Sequence, residues 1–283
     1  VELEVLIVDD GSTDGSLAQA EAVLDPRVIV IRQDHGGVAA ARNNGIEQAS
    51  APWIALLDDD DLWAADKCRR QLDALAARDA EIAYTSAVIT DGSLSYKRVL
   101  RAPDQDRVLE TLMGSNTIGT PSSVVARRDA LIAIGGFDTS LSVLADWDAW
   151  LRLCPGRRAA ACHEPLTAYV EHDANLHVVD TDSVLKEFAQ LRSRHSALAA
   201  GLGVSLGDVD WWRWIASSYR RAGRRRRAAL AYLDVGVRFR SSRDIARALA
   251  ILGGERSMER LAGPPASPDI DGRHEWAWLE GSH

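Results

Sequence analysis

The chain has 283 residues, 46% hydrophobic and 26% charged, with 21 glycines, 9 prolines and a formal net charge of −8. This composition excludes a collagenous, disulfide-scaffold or disordered chain and accommodates one large domain, or one domain with an appendage. No run reaches the roughly 18 consecutive apolar residues of a membrane-spanning helix and no charged-then-apolar leader opens the sequence, which reads as soluble.

Leu3 to Val8 is a run of branched apolar residues ended by Asp9-Asp10-Gly11, the pattern of a buried parallel strand stopping at a turn. Ser12, Thr13 or Asp14 can then cap a helix reaching Leu24. A second strand is predicted over Val28 to Ile31, followed by His35-Gly36-Gly37 and a helix over Val38 to Gln48. A third, Trp53 to Leu57, runs into four aspartates and then a helix over Asp66 to Ala77. Strands alternating with helices at this spacing predict an α/β fold with a mostly parallel sheet flanked by helices. Ligands of such a sheet sit beyond the carboxyl ends of its strands.

Further along, strands are predicted over Ile82 to Ile89 and Tyr96 to Leu100, around an Asp91-Gly92 turn. A short helix near Val108 to Met113, a Ser/Thr/Gly-rich loop and a strand near Ser123 to Ala126 follow. After the Gly135-Gly136-Phe137 turn come a helix over Trp147 to Leu153 and two short strands within Ala159 to Val170, separated by Glu164-Pro165. From Ser183 the pattern is helical to Leu261, and the tail is Pro-rich with Trp276 and Trp278. The expected organisation is a catalytic domain over 1–180, a helical extension over 181–262 and a tail over 263–283.

Three cysteines, Cys68, Cys154 and Cys162, show neither CxxC nor Cys/His metal spacing and point to a reducing cytosol. The acidic net charge disfavours nucleic acid as a partner. It conceals an asymmetry, because residues 211–260 hold 13 arginines against four acidic residues. An acidic body thus carries a basic C-terminal segment.

Four clusters can carry chemistry. Asp9 and Asp10 at a strand end can accept hydrogen bonds from a base or ribose, or can shape a turn with a helix cap. Asp58-Asp59-Asp60-Asp61 repel one another unless a cation or solvent compensates; Mg²⁺ or Mn²⁺ with oxygen ligands would do so and recruit a diphosphate. The alternative is a solvated acidic loop ahead of a helix. Asp146, beside Trp147, suits a general base with a raised pKa, or a helix N-cap. His172 is either a surface residue or an imidazole ligand to an ion otherwise held by carboxylates.

The segments VDDGSTD, HGGVAAARNNGI, WIALLDDDDLW, GGFDTSLSVLADWDAWLRL and PLTAYVEHDANLH stand in this order over residues 3–177. Together they resemble the family 2 inverting glycosyltransferases of GT-A fold. The resemblance implies a nucleotide-diphospho-sugar transferase with a DxD-type motif, a Mn²⁺ or Mg²⁺ cofactor and a UDP-sugar donor. It places Asp9 and Asp10 beside the base and ribose and Arg42 in the nucleotide pocket. Asp58 and Asp59 fall on the nucleotide sugar, Asp60 and His172 on the metal, and Asp146 on the catalytic base. The sequence departs from the family pattern at Ala145, where a Glu is expected before the base. It also opens at what would be the family's second strand, so a first strand and helix are expected to be missing.

The implied acceptor is a glycan, lipid-linked or small-molecule hydroxyl. For the Trp211, Trp212, Trp214 and Arg220 to Arg227 segment, one reading is peripheral contact with anionic headgroups at the inner face of the membrane. The other is a helical hairpin packing its tryptophans on the catalytic domain. Rival functions are a non-catalytic nucleotide-sugar binding module, and a sugar nucleotidyltransferase, whose Gly-rich phosphate loop is lacking.

Overall fold

The computed structural model describes residues 2–172, 180–253 and 277–280. The part of the predicted helix beyond residue 253, most of the Pro-rich tail with Trp276, and the Asp173 to His177 end of the fifth resemblance segment lie outside the described residues.

The sheet is built on β5 (Ile82–Asp91), in which every residue except Asp91 is buried. Ile82 and Tyr84 enter the main core with Val124, whereas Ala83 joins Leu75, Val125 and Ala160 on the other side. An apolar run without polar alternation is what a strand covered on both faces requires. β3 (Trp53–Ala55), β7 (Val124–Arg127), β5, β8 (Ala159–Glu171) and β4 (Leu62–Trp63) lie in that order, with β6 (Tyr96–Leu100) also paired to β5. β5 and β8 run parallel, whereas β3–β7, β5–β7, β4–β8 and β5–β6 are antiparallel. The sheet is therefore mixed and not mostly parallel. Apolar runs reveal strands but not their direction, which is set here by the long loops that return β7 and β8 to the sheet.

β1 (Val5–Asp9) and β2 (Val28–Arg32) pair in parallel, Val5 opposite Val28, as a two-stranded unit of their own. This corrects the expectation of one continuous buried sheet, and Val5 and Ile29 are exposed. Helix α1 (Ser16–Glu21) connects them, and α2 (Val38–Gln48) follows with the bounds its pattern predicts. β8 is a single strand where two were expected. Its register against β5 shifts between Cys162 and Thr167, where Ser86 stands opposite Pro165. A proline without a ladder donor fits at such a bulge.

Helix α3 (Lys67–Arg78) covers one face of the sheet, through Leu75 against Ala83, Val125 and Ala160. Helices α4 (Val108–Gly114), α5 (Arg128–Ala133) and α6 (Ala145–Leu153) contribute to the main core. α6 holds Trp147 and Trp150, both fully buried, with Phe137 edge-on to Trp150 at 5.9 Å.

The C-terminal helices α7 (Thr181–Arg194), α8 (Ser196–Leu202), α9 (Val209–Arg221), α10 (Arg225–Arg238) and α11 (Ser242–Gly253) extend that core without a break. Phe188 of α7 stacks on Trp147 at 5.8 Å and meets Trp211 of α9 at 4.5 Å. The short α12 (Ala277–Glu280) returns to the sheet, where Leu279 packs on Val88 and Ala168 and the Trp278 indole donates to Pro165 O at 2.9 Å. Among the described residues no helix is long and apolar enough to cross a membrane.

Candidate functional site

At the end of β1, Asp9 accepts a bond from the Ser12 N–H at 3.3 Å. Asp10 is more heavily engaged. Gln33 Nε2 donates to it at 2.7 Å, the Gly36 and Gly37 N–H groups at 2.8 Å each, and His35 Nδ1 stands 3.0 Å away. Burial alone would raise its pKa, but these bonds outweigh it and hold the carboxyl below its ordinary range. Asp10 thus fixes the loop that leads into α2.

α2 delivers Arg42, whose guanidinium bonds Asp58 at 2.5 Å and lies over the Phe137 ring at 5.4 Å. Asn43, next in sequence, locks the Phe137 backbone, accepting its N–H at 2.7 Å and donating to its carbonyl at 2.8 Å. Gly136 before it has φ +67°, and a Cβ there would stand 2.4 Å from Asn43 Oδ1, so only glycine fits this junction.

Asp146, in the first turn of α6, accepts from Asn116 Nδ2 at 2.8 Å and from the Trp147 N–H at 2.6 Å. Burial pushes its pKa up to about 6; the charge of Arg42 and these hydrogen bonds oppose the rise, and Asp58 adds to it. Arg42, Asp58 and Asp146 therefore share one electrostatic environment. The loop over 116–122 ties them together physically. Asn116 holds Asp146, the Thr120 hydroxyl donates to Asp61 at 2.9 Å, and Ser122 Oγ accepts the Asp58 N–H at 2.9 Å. This Ser/Thr/Gly-rich loop attracted no site assignment from its sequence, because its polar groups act on aspartates some 30 to 65 residues away in the chain.

Asp61 is buried and also accepts the Val170 N–H at 3.2 Å; burial raises its pKa to about 6. Asp59 is exposed, and Asp60 lies beside His172, Nε2 to Oδ2 at 2.9 Å. The four aspartates thus separate into distinct environments rather than forming one solvated loop. Among the described residues, no three His, Cys, Asp or Glu side chains converge as a closed metal cage. A carboxylate and an imidazole already in contact fit Mg²⁺ or Mn²⁺, which are held by few protein groups and complete their shell with phosphates and water.

Behind this loop lies a lysine that sequence reading missed. Lys67 is buried with its Nζ 4.0 Å above the Trp63 ring, and burial lowers its pKa to about 7. The Trp63 indole donates to Ser122 O at 2.7 Å, so this stack braces the 116–122 loop from below.

The start of α6 has an unusual support. Leu144, at the N-cap, offers no side-chain acceptor. Glu187 of α7 reaches across instead, accepting the N–H groups of Ser142, Val143 and Leu144 and the Ser142 hydroxyl at 2.9–3.0 Å. A carboxylate is therefore supplied to this helix start even though position 145 is alanine. Two residues past Asp146, the fully buried Asp148 accepts from Arg152 at 2.7 Å, Arg194 at 2.8 Å and His195 at 2.9 Å. Burial pushes its pKa up, but these partners win and hold it at about 2. Glu187→Ala leaves three backbone donors unsatisfied and is expected to cost about 2–4 kcal/mol. Urea denaturation checks this, and a loss below about 0.5 kcal/mol would contradict the capping role.

A mixed sheet with helices on both faces and an acidic site fed by its strand ends defines a GT-A type nucleotide-diphospho-sugar transferase fold. Residues 2–135, just under half of the chain, match the sequence model of glycosyl transferase family 2. It is 33% identical over 188 residues to the succinoglycan biosynthesis protein ExoO of Rhizobium meliloti, covering 61% of this chain and 53% of ExoO. The chain spans about half the length of curated relatives such as this one. Among solved structures, Staphylococcus aureus TarS 1–349 with UDP-GlcNAc superposes with TM-score 0.56 at 16% identity, over 87% of this chain and 70% of that one. The mannosyltransferase PcManGT of Pyrobaculum calidifontis, with GDP-Man and Mn²⁺, gives TM-score 0.51 at 17% identity, over 98% and 76%. At these identities the superpositions establish the fold.

Proposed function

We propose that the chain is the catalytic part of an inverting, metal-dependent glycosyltransferase that takes a sugar from a nucleoside-diphosphate donor, a UDP-sugar, to an acceptor hydroxyl. The observation that carries this reading is the convergence of Asp146 with the Arg42–Asp58 pair: both charges act on the Asp146 carboxyl, and the 116–122 loop bonds Asp146 and Asp58 alike. The contents of the two structural neighbours, UDP-GlcNAc in one and GDP-Man with Mn²⁺ in the other, support a nucleotide-sugar donor.

In this reading Asp9 and Asp10 border the base and ribose, and Arg42 with Asp58 and Asp59 lines the nucleotide sugar. Asp60 and His172 would hold the divalent ion, which would supply positive charge against the departing diphosphate. Asp146 takes the proton of the acceptor hydroxyl as its oxygen forms the bond to the anomeric carbon. The bond from that carbon to the diphosphate breaks on the opposite face, the diphosphate leaves with the electron pair, and the configuration inverts. The acceptor belongs to a glycan, a lipid-linked sugar or a small molecule.

A thermal-shift panel of UDP- and GDP-sugars with and without Mn²⁺ tests the reading. Stabilisation by one nucleotide sugar that needs Mn²⁺, with slow release of its nucleotide, is expected. No response to any nucleotide sugar would remove the transferase reading, and stabilisation without turnover would turn it into a binding module.

A further inference from the structure

The tryptophan segment is a packing element. Trp211 is buried, and Trp212 and Trp214 lie partly buried against the main core. A cluster of exposed apolar side chains lies instead on the next two helices. Leu230, Leu233 and Val237 of α10 and Leu249 and Leu252 of α11 are 41–68% exposed. Positions 226, 230, 233 and 237 form one stripe along α10, and 249 and 252 lie on one face of α11. Gly236 lets the two helices approach closely, since a Cβ there would stand 2.5 Å from Ile245 Cγ1.

The stripes enclose a groove of 270 Å³ lined by Arg226, Ala229, Leu230, Leu233, Leu249 and Leu252. Arg226 also lines an adjoining depression of 560 Å³ formed by Gly223, Asp182 and the run Arg224 to Arg227. Arg224 and Arg227 pair with Asp182, and Arg225 donates to Ile251 O at 3.1 Å. Two of the four exposed arginines thus share one carboxylate, directly beside an exposed leucine groove. Neither recess contains a carboxylate assigned to the transfer site.

We propose that this α10–α11 face docks on an anionic phospholipid surface. The leucines and Val237 enter the boundary between headgroups and acyl chains, and the arginines at 224–227 meet lipid phosphates. Charge favours this occupant over a second copy of the chain: a two-fold contact uses the same patch on both partners and brings the two arginine runs together. Since the chain carries a net charge of −8, a positive face next to this apolar groove also orients it toward an anionic surface. The proposal extends past the transfer chemistry and does not depend on it.

Flotation of the full chain with vesicles of phosphatidylcholine alone, or with roughly a third phosphatidylglycerol, tests it at low salt and at about 0.5 M salt. The expected result is flotation with the anionic vesicles at low salt, about tenfold above neutral vesicles, and largely lost at high salt. Leu230→Gln with Leu249→Gln, and separately Arg226→Glu, change exposed side chains and should each lower flotation about fivefold or more with unchanged melting. Three results would overturn it: no flotation with either vesicle, flotation that ignores both variants, or light scattering that shows a dimer dissociated by the leucine pair.

Discussion

Asp146→Asn is expected to lower sugar transfer about a hundred- to ten-thousandfold, the range a general base supplies, while metal-dependent binding of the nucleotide sugar persists. The side chain receives bonds from Asn116 and the Trp147 N–H, so its position is fixed independently of its charge. Its pKa is raised to about 6, chiefly by burial, with Arg42 opposing. A base works only as the carboxylate, so wild-type turnover should be low below pH 6, climb through it and level off above. Nucleotide-release kinetics across that range, with binding measured by calorimetry, check both statements. Near wild-type turnover in the asparagine variant would place the base elsewhere.

Asp60→Ala should abolish stabilisation by a nucleoside diphosphate with Mn²⁺. At a ligand concentration a hundred times its Kd the wild-type gain is about 2.7 kcal/mol, and the variant should show none of it. Asp60 and His172 are in contact, and no third protein carboxylate or imidazole among the described residues replaces a lost one. His172→Ala should weaken the same response without eliminating it, because the carboxylate carries the charge that the ion requires. A thermal-shift titration of Mn²⁺ at fixed UDP reads both variants, and an unchanged response in Asp60→Ala would move the ion away from this loop.

The sequence made the elements legible wherever local pattern decides. α2 falls on its predicted bounds, and β5 was visible as an apolar run flanked by turn residues. Strand direction was not legible, because the antiparallel entry of β7 and the return of β8 depend on long connections with no periodic signal. The same limit applies to the candidate site. Its carboxylates stand out as strand-end clusters, but the residues that hold them are distant in sequence and chemically ordinary. Asn116, Thr120 and Ser122 sit in a loop whose composition suggests only flexibility, yet they bond the side chains of Asp146 and Asp61 and the backbone of Asp58. Glu187 was hidden for the same reason: one acidic residue in an amphipathic helix looks solvated until the fold sets it against the start of α6. Ala145 suggested a missing carboxylate, and only three-dimensional packing reveals that α7 provides one nearby.

The most direct measurement is anomalous diffraction from crystals grown with Mn²⁺ and UDP. The prediction is a single manganese peak within coordinating distance of Asp60 and His172 that also contacts the diphosphate, with Arg42 and Asp146 bordering the same cleft. A peak bound elsewhere, or a nucleotide seated away from these side chains, would contradict it.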